Sequence, residues 1–433
     1  MNDSIPQSKL QRSLAGGKTA VQVSAKVLKY LTRKPFLSKE QQQKAKVSLD
    51  QESAAIVFKG LSLLRGTALK IAQMLSLELD LFPAAVRQEF EKSYNQVPPI
   101  NRALVRKIIQ NALGEPPEVV FQSFDTDAFA AASLGQVHFA VAQTDEMLAV
   151  KIQYPGISRT IKNDIQMVKS LLRPLPEYEL IRPALQEIED RLLEETDYRQ
   201  EAQHMDYFGR QLQTNGFEIP KIYAPASAET VLSMTCLEGL PLNQWLNTNP
   251  SQTARDRVAQ KLHNMFLTSL YDLNCIHADP NPGNFLIRDD LTIGLVDFGC
   301  IKRLDRKFVQ CYRQLPQTVI HNNRKHYFHL LRELNFIDAT LDESVAEQMY
   351  RLAYRFGQWF GRLFTEDRFD FGANPDFIAA GKALSHEMYQ LRNHVTINPN
   401  FVFLDRTRYG LLRLFERMGA RVRIQNHYEW NPK

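Results

Sequence analysis

The sequence predicts an α+β chain with two lobes, a small β-rich one and a larger helical one, behind an N-terminal helical extension. Three observations predict it. Residues 1 to about 118 read as helical, with Ile56, Val57, Leu61, Leu64, Ala68, Ile71 and Leu75 at helical spacing. The texture then changes to short runs of β-branched and aromatic residues separated by turns. From Arg306 onward the chain is mostly helical again. The expected boundaries are an extension over 1–118, a β-rich lobe with a helical insert over 119–238, and a helical lobe over 239–433.

The elements follow in order. A helix over 51–79 is broken by Pro83 and then by Pro98 and Pro99. A second helix begins at Arg102 and ends at Gly114, Pro116 and Pro117. Three strands are expected at 121–124, 136–142 and 147–153. Helices broken near Pro174, Pro176 and Pro183 lead to one long acidic helix over 184–214. Strands at 218–224 and 230–237 and a helix over 258–273 come next. The turn-rich IHADPNPGNF then opens into FLIRDDLTIGLVDFG, which reads as two short strands.

Bulk properties narrow the classes. A chain of 433 residues is too long for one ordinary core. With 44% hydrophobic and 23% charged residues it reads as globular and ordered. A net charge of +5 allows attraction to nucleotide or anionic lipid and falls short of a nucleic-acid signature. Cys236, Cys275, Cys300 and Cys311 form no CxxC pair, which favours a reducing compartment and buried, inert thiols. No apolar run reaches the length of a membrane span, and the N-terminus carries no secretory signal. The basic stretch 18–34 has two readings, docking on the protein body or lying on an anionic membrane surface. The expectation is a cytoplasmic protein, with peripheral membrane contact as the second reading. Oligomeric state is left open.

Phosphoryl transfer asks a protein to clamp phosphates, hold a metal between them and place a carboxylate near the nucleophile. Each part has a candidate. LAVKIQYPG puts Lys151 on the third strand, where it would meet the phosphates of ATP; the alternative is a solvent-facing strand lysine. Ala130, Ala131, Ala132 and Ser133 stand where a glycine-rich loop would cover the phosphates, with Gly135 as the one glycine. The alternative there is a small-residue packing turn. In HADPNPGN, Asp279 and Asn284 have the spacing of a catalytic loop. Asp279 would take or orient the acceptor proton, Asn284 would offer an oxygen to Mg²⁺, and His277 would pack beneath as scaffold. Ala278 stands where such loops usually carry arginine. Asp297 of LVDFG would be the main Mg²⁺ ligand, because Mg²⁺ prefers hard oxygen donors. In EETDYRQEA, Glu201 is the candidate partner of Lys151, while Glu195 projects elsewhere if the helix is continuous. The order of these parts is that of a bilobal protein-kinase-like fold.

The segments AAASLGQVH, VKIQYPG, EETDYRQEA, HADPNPGN and VDFG, in this order, closely resemble the UbiB-like (AarF) atypical kinases. The resemblance spans about 59–303; beyond that, only helical character is shared. It implies Mg²⁺ and ATP as cofactors and a role in ubiquinone biosynthesis, with quinone-biosynthesis proteins as partners. It also implies that Lys70 and Gln73 form a gating K-x-G-Q motif that reaches Glu195 and Asp197, and that Glu201 pairs with Lys151. Ala72 departs from the motif's glycine. After VDFG the chain carries no A-P-E and no evident activation loop, which argues against a peptide kinase acting in trans. The expected activity is ATP hydrolysis or phosphorylation of a small or lipid-like molecule. The alternatives are a nucleotide-binding pseudokinase-like scaffold and a membrane-lipid-handling protein.

Overall fold

A computed structural model describes residues 101–132, 134–173, 178–212, 216–336, 343–390 and 398–430, with Thr32, Ser38, Gln41 and Gln42. The expected helix over 51–79, Lys70, Gln73, Ser133 and all of the basic stretch except Thr32 lie outside the described residues. Two compact units divide the chain. One holds residues 1–111, 125–138 and 151–196; the other holds 112–124, 139–150 and 197–433.

Helix α1 (Arg102–Leu113) buries Val105 and Ile109 and leads to the single turn α2 (Pro117–Val120). Strands β1 (Ser123–Ala132), β2 (Gly135–Val141) and β3 (Met147–Gln153) follow. The first strand is much longer than expected. Phe124, Thr126 and Ala128 are half-buried while Asp125, Asp127 and Phe129 are exposed, the alternation of a strand with one covered face. Ala130, Ala131 and Ala132 therefore continue β1 instead of forming an open loop. Alanine is a poor strand former, so local propensity hid the extension.

Helix α3 (Ile157–Leu172) buries Ile157, Ile161, Ile165, Val168 and Leu172, one apolar stripe at helical spacing. It packs on α4 (Tyr178–Glu194), whose Leu185, Ile188 and Leu192 are buried. A largely buried Lys169–Glu189 ion pair of 2.6 Å joins the two. α4 runs through Pro183, so that proline does not break it. The single acidic helix expected over 184–214 is instead two, α4 and α5 (Tyr198–Leu212). The cause is Asp197. Its side chain accepts the Arg199 N–H at 3.0 Å, and its carbonyl accepts from Gln200, which makes it the start of a new helix.

Strand β4 (Phe217–Glu218) is only two residues long, because Pro220 removes an N–H donor from the stretch expected to extend it. β5 (Val231–Thr235) completes a sheet of order β1-β2-β3-β5. β6 (Leu240–Pro241) and α6 (Leu242–Asn247) precede α7 (Gln252–Tyr271). Ser251 caps α7 by accepting from Ala254, and residues from Val258 to Leu270 bury nearly all its faces, so it is the central helix of the second unit.

Around α7 lie the short strands β7 (Cys275–His277), β8 (Phe285–Ile287), β9 (Ile293–Leu295) and β10 (Ile301–Arg303). β8 and β9 form the hairpin expected from the sequence, in a sheet of order β4-β9-β8-β6, and β10 pairs antiparallel with β7. Helices α8 (Arg306–Tyr312), α9 (Leu315–Ile320), α10 (Arg324–Glu333), α11 (Glu343–Gly361), α12 (Phe377–Gln390) and α13 (Pro399–Met418) build the rest, with β11 (Phe369–Asp370) paired to β12 (Arg421–Val422). α13 begins at the capping Asn398 and ends at Gly419, whose φ of 54° is the left-handed cap that glycine tolerates best.

Two contacts set α13 in place. Gly410 lies against Pro280; an added Cβ would sit 2.3 Å from Pro280 Cγ. Arg408 makes a 2.5 Å bond to the fully buried Glu429, which also accepts from Tyr271 of α7 and from Asn426. His263 of α7 is buried beside this group, edge-on to Phe415. Burial holds its imidazole down to about 4, against the opposing pull of Glu429.

Two predictions follow from this packing. Helix propensity favours alanine over glycine by about 1 kcal/mol, whereas overpacking costs about 1–3 kcal/mol. The Pro280 contact makes the second effect win, so urea denaturation of Gly410→Ala should show a loss of stability. For His263 the unfolded ring takes a proton near its ordinary value of 6.5 and the folded ring does so only near 4. Between those values the unfolded state binds more protons, so stability is flat above about pH 6.5 and falls as pH drops toward 4. The total loss is on the order of 3 kcal/mol. Unfolding at pH 7.5, 6 and 5 should show that slope in the wild type and a flatter one in His263→Gln.

Candidate active site

Within the second unit, β7 and its pairing with β10 deliver the loop that follows His277. Ala278 donates its N–H to the Cys300 carbonyl at 2.8 Å, and Val296 donates to the Asn284 carbonyl at 3.2 Å. The HADPNPGN loop is thus strapped at both ends to the LVDFG segment. Inside the loop, Asn281 accepts the Gly283 N–H at 3.0 Å with its side chain and the Asn284 N–H at 3.0 Å with its carbonyl. That closes one tight turn over Pro282–Asn284.

The turn brings Asn284 back to Asp279. Asn284 Nδ2 donates to Asp279 Oδ2 at 2.9 Å and to the Asp279 carbonyl at 3.3 Å. With Nδ2 committed there, Oδ1 is the end of that amide suited to a cation. Arg406 of α13 donates through Nη2 to the other carboxylate oxygen, Asp279 Oδ1, at 3.4 Å. Each oxygen of Asp279 therefore has its own donor.

Asp297 is fixed on both sides. Its Oδ1 accepts the Gly299 N–H at 2.9 Å, and its carbonyl lies 2.5 Å from His277 Nε2. His277 packs beneath the loop as scaffold, its ring perpendicular to Phe298 at 5.7 Å. Phe298 is fully buried and also packs against Phe208 of α5 at 5.7 Å. Its N–H donates to Glu201 Oε1 at 3.4 Å. Glu201 occupies the apolar stripe of α5, between Tyr198 and Met205, and is itself almost fully buried.

The remaining candidates fall as follows. Lys151 is 4% exposed, with Val150 and Ile152 fully buried, so the solvent-facing alternative fails. In the first unit, Gln136 and His138 are a buried structural pair: Gln136 Nε2 lies 2.8 Å from His138 Nε2, and His138 Nδ1 lies 2.9 Å from the Asp125 carbonyl. Burial pushes the His138 imidazole down. Glu195 is buried in the link between α4 and α5, and Asp197 caps α5. The angle between Glu195 and Asp197 expected on one continuous helix therefore does not exist.

Sequence reasoning missed Arg406 and Gly410. Arg406 and Arg408 sit about 200° apart on their helix, and nothing in RTRYG tells which turns toward Asp279 and which toward Glu429. The group at the loop offers hard oxygens, an asparagine carbonyl and an aspartate carboxylate, on a rigid turn. That donor set suits Mg²⁺ sharing its shell with phosphate oxygens.

Comparison with known proteins agrees with this geometry. Residues 92–331 match the family described as the ABC1 atypical kinase-like domain. The chain is 28% identical over 376 residues to the rat "Atypical kinase COQ8B, mitochondrial", covering 85% of this chain and 70% of that protein. It is 28% identical over 388 residues to the "Atypical kinase COQ8, mitochondrial" of Schizosaccharomyces pombe, covering 87% of this chain and 62% of that protein. Rv3197 from Mycobacterium tuberculosis, solved in complex with erythromycin, has a similar fold, with a TM-score of 0.60 at 22% identity over 88% of this chain and 96% of that one. With a mixed α+β architecture, a strapped HADPNPGN loop and a match over more than half its length, the chain belongs to the family of ABC1 atypical kinase-like proteins.

Proposed function

We propose that this protein binds Mg²⁺-ATP and acts as a phosphotransferase or ATPase in support of ubiquinone biosynthesis. The observation that carries the reading is the Asp279–Asn284 hydrogen bond of 2.9 Å in a loop strapped to Asp297. Asn284 and Asp297 would hold Mg²⁺, which would neutralise charge on the phosphates when bound. Asp279 would orient the acceptor hydroxyl or water and receive its proton. Lys151 and the stretch Ala130–Ala131–Ala132–Ser133 are assigned to the nucleotide by motif order, as Glu201 is to Lys151 and as Lys70, Gln73, Glu195 and Asp197 are to gating.

The site supports a small acceptor over a peptide. After Gly299 only Cys300 precedes β10, and α8 starts at Arg306 under an Asp305 cap. No length of chain is left there for a peptide platform. The quinone connection rests on the COQ8 relatives. No described helix is long and apolar enough to cross a membrane, and contact with an anionic membrane surface through residues 18–34 stays part of the proposal.

Melting temperature with and without Mg²⁺-ATP tests the site. Nucleotide at 100 times its dissociation constant should add about 2.7 kcal/mol, a rise of a few degrees in the wild type. Asp297→Asn should melt like the wild type without ligand and show no metal-dependent rise. No rise in the wild type at millimolar nucleotide would sink the phosphotransfer reading.

The quinone role has its own check. In a bacterium deleted for its own ubiquinone-supporting ABC1 protein, the wild-type chain should restore ubiquinone and Asp297→Asn should not. Failure of both, with nucleotide binding intact, would leave the enzyme and remove this role.

A further inference from the structure

The catalytic loop contains no cation of its own. From His277 to Asn284 it has neither lysine nor arginine, and Ala278 occupies the usual arginine position. Yet Asp279 is not left to a single donor. Asn284 holds Oδ2, and Arg406, 127 residues further along the chain, holds Oδ1. The Arg406 and Asp279 side chains are 18% and 29% exposed, so solvent screens this pair less than it screens surface ion pairs.

We propose that Arg406 is a positioning residue for Asp279, supplying from α13 the cation that the loop lacks. The placement is built in by packing. Gly410, one turn beyond Arg406, lets α13 come so close to Pro280 that no side chain fits between them. Thr407 and Leu411 line a small cavity with His277 and Pro280, so the same helix face backs the loop. Two donors, one on each oxygen, fix the rotation of the carboxylate.

The inference rests on the phosphotransfer reading above, and the two are tested in one experiment with separate readouts. On the full-length chain, kcat and KM for Mg²⁺-ATP hydrolysis are measured together with the melting rise caused by Mg²⁺-ADP. The proteins are wild type, Arg406→Gln, Arg406→Lys, Asp279→Asn and the Asp279→Asn/Arg406→Gln double variant. Arg406→Gln should lower kcat about tenfold or more, since misplacing a reacting group can cost a hundredfold. Its KM and its Mg²⁺-ADP melting rise should match the wild type, because nucleotide binding is assigned to other residues. Arg406→Lys should recover most of kcat, and Arg406→Gln should add little to Asp279→Asn, because both act through one carboxylate.

A wild-type kcat in Arg406→Gln would overturn the inference, as would a loss confined to KM. So would losses that multiply in the double variant. If Arg406→Gln is too unstable to assay, Arg406→Lys decides: a folded Lys variant with kcat reduced as far as in Asp279→Asn overturns the role of the charge. A wild type that neither hydrolyses Mg²⁺-ATP nor shows a melting rise with Mg²⁺-ADP overturns the phosphotransfer reading, and this inference with it.

Discussion

The site of the second unit hangs on the burial of one ring, Phe298. It has no exposed surface and is held by Phe208 of α5 on one side and by His277 of the loop on another. Burying a phenylalanine contributes about 1.5–3 kcal/mol, and oriented aromatic pairs add to that. With the ring fixed, the main chain at Asp297 and Gly299 has little freedom. The Asp297 carbonyl meets His277, its carboxylate turns back to Gly299, and the Phe298 N–H meets Glu201. Apolar packing thus aims a polar group: the direction of the Asp297 side chain is set by where the neighbouring ring is seated.

That arrangement puts polar groups where local rules favour apolar ones. The α5 stripe of Tyr198, Glu201, Met205, Phe208 and Leu212 would be more stable in isolation with a leucine in place of Glu201. A buried carboxylate is costly unless its partners are in place. The same holds for Lys151 among the apolar residues of β3. Local consistency breaks at functional positions more often than elsewhere, and these two residues break it in otherwise regular elements.

This explains what could be read in advance. The HADPNPGN and LVDFG segments were legible because their geometry is local: prolines and an asparagine cap fix Asp279 and Asn284 five residues apart, and one short hairpin returns the chain to Asp297. The extent of β1 was not legible, because the pairing that draws Ala130–Ala132 into a strand is not a property of alanine. Neither was the break at Asp197, where a capping side chain overrode a helical pattern that runs through acidic residues on both sides. Arg406 was out of reach for a different reason. Its meaning depends on a contact between segments more than a hundred residues apart.

That long-range contact changes what counts as the site. The motifs end near Arg303, and the family match ends at residue 331. In the folded chain, however, α13 is the back wall of the HADPNPGN loop. The cavity between them has a volume of only about 10 Å³, lined by Met265, Phe266, His277, Pro280, Thr407 and Leu411 among others, which is about the space of one water molecule. A wall packed this tightly transmits displacement, because close-packed interiors have little room to absorb it. The buried Arg408–Glu429–Tyr271 group ties the same helix to α7 and to the C-terminal segment. The position of Asp279 is therefore specified twice, by a short motif that fixes its relation to Asn284 and by a distant helix whose glycine, arginine and buried ion pair hold the loop from behind.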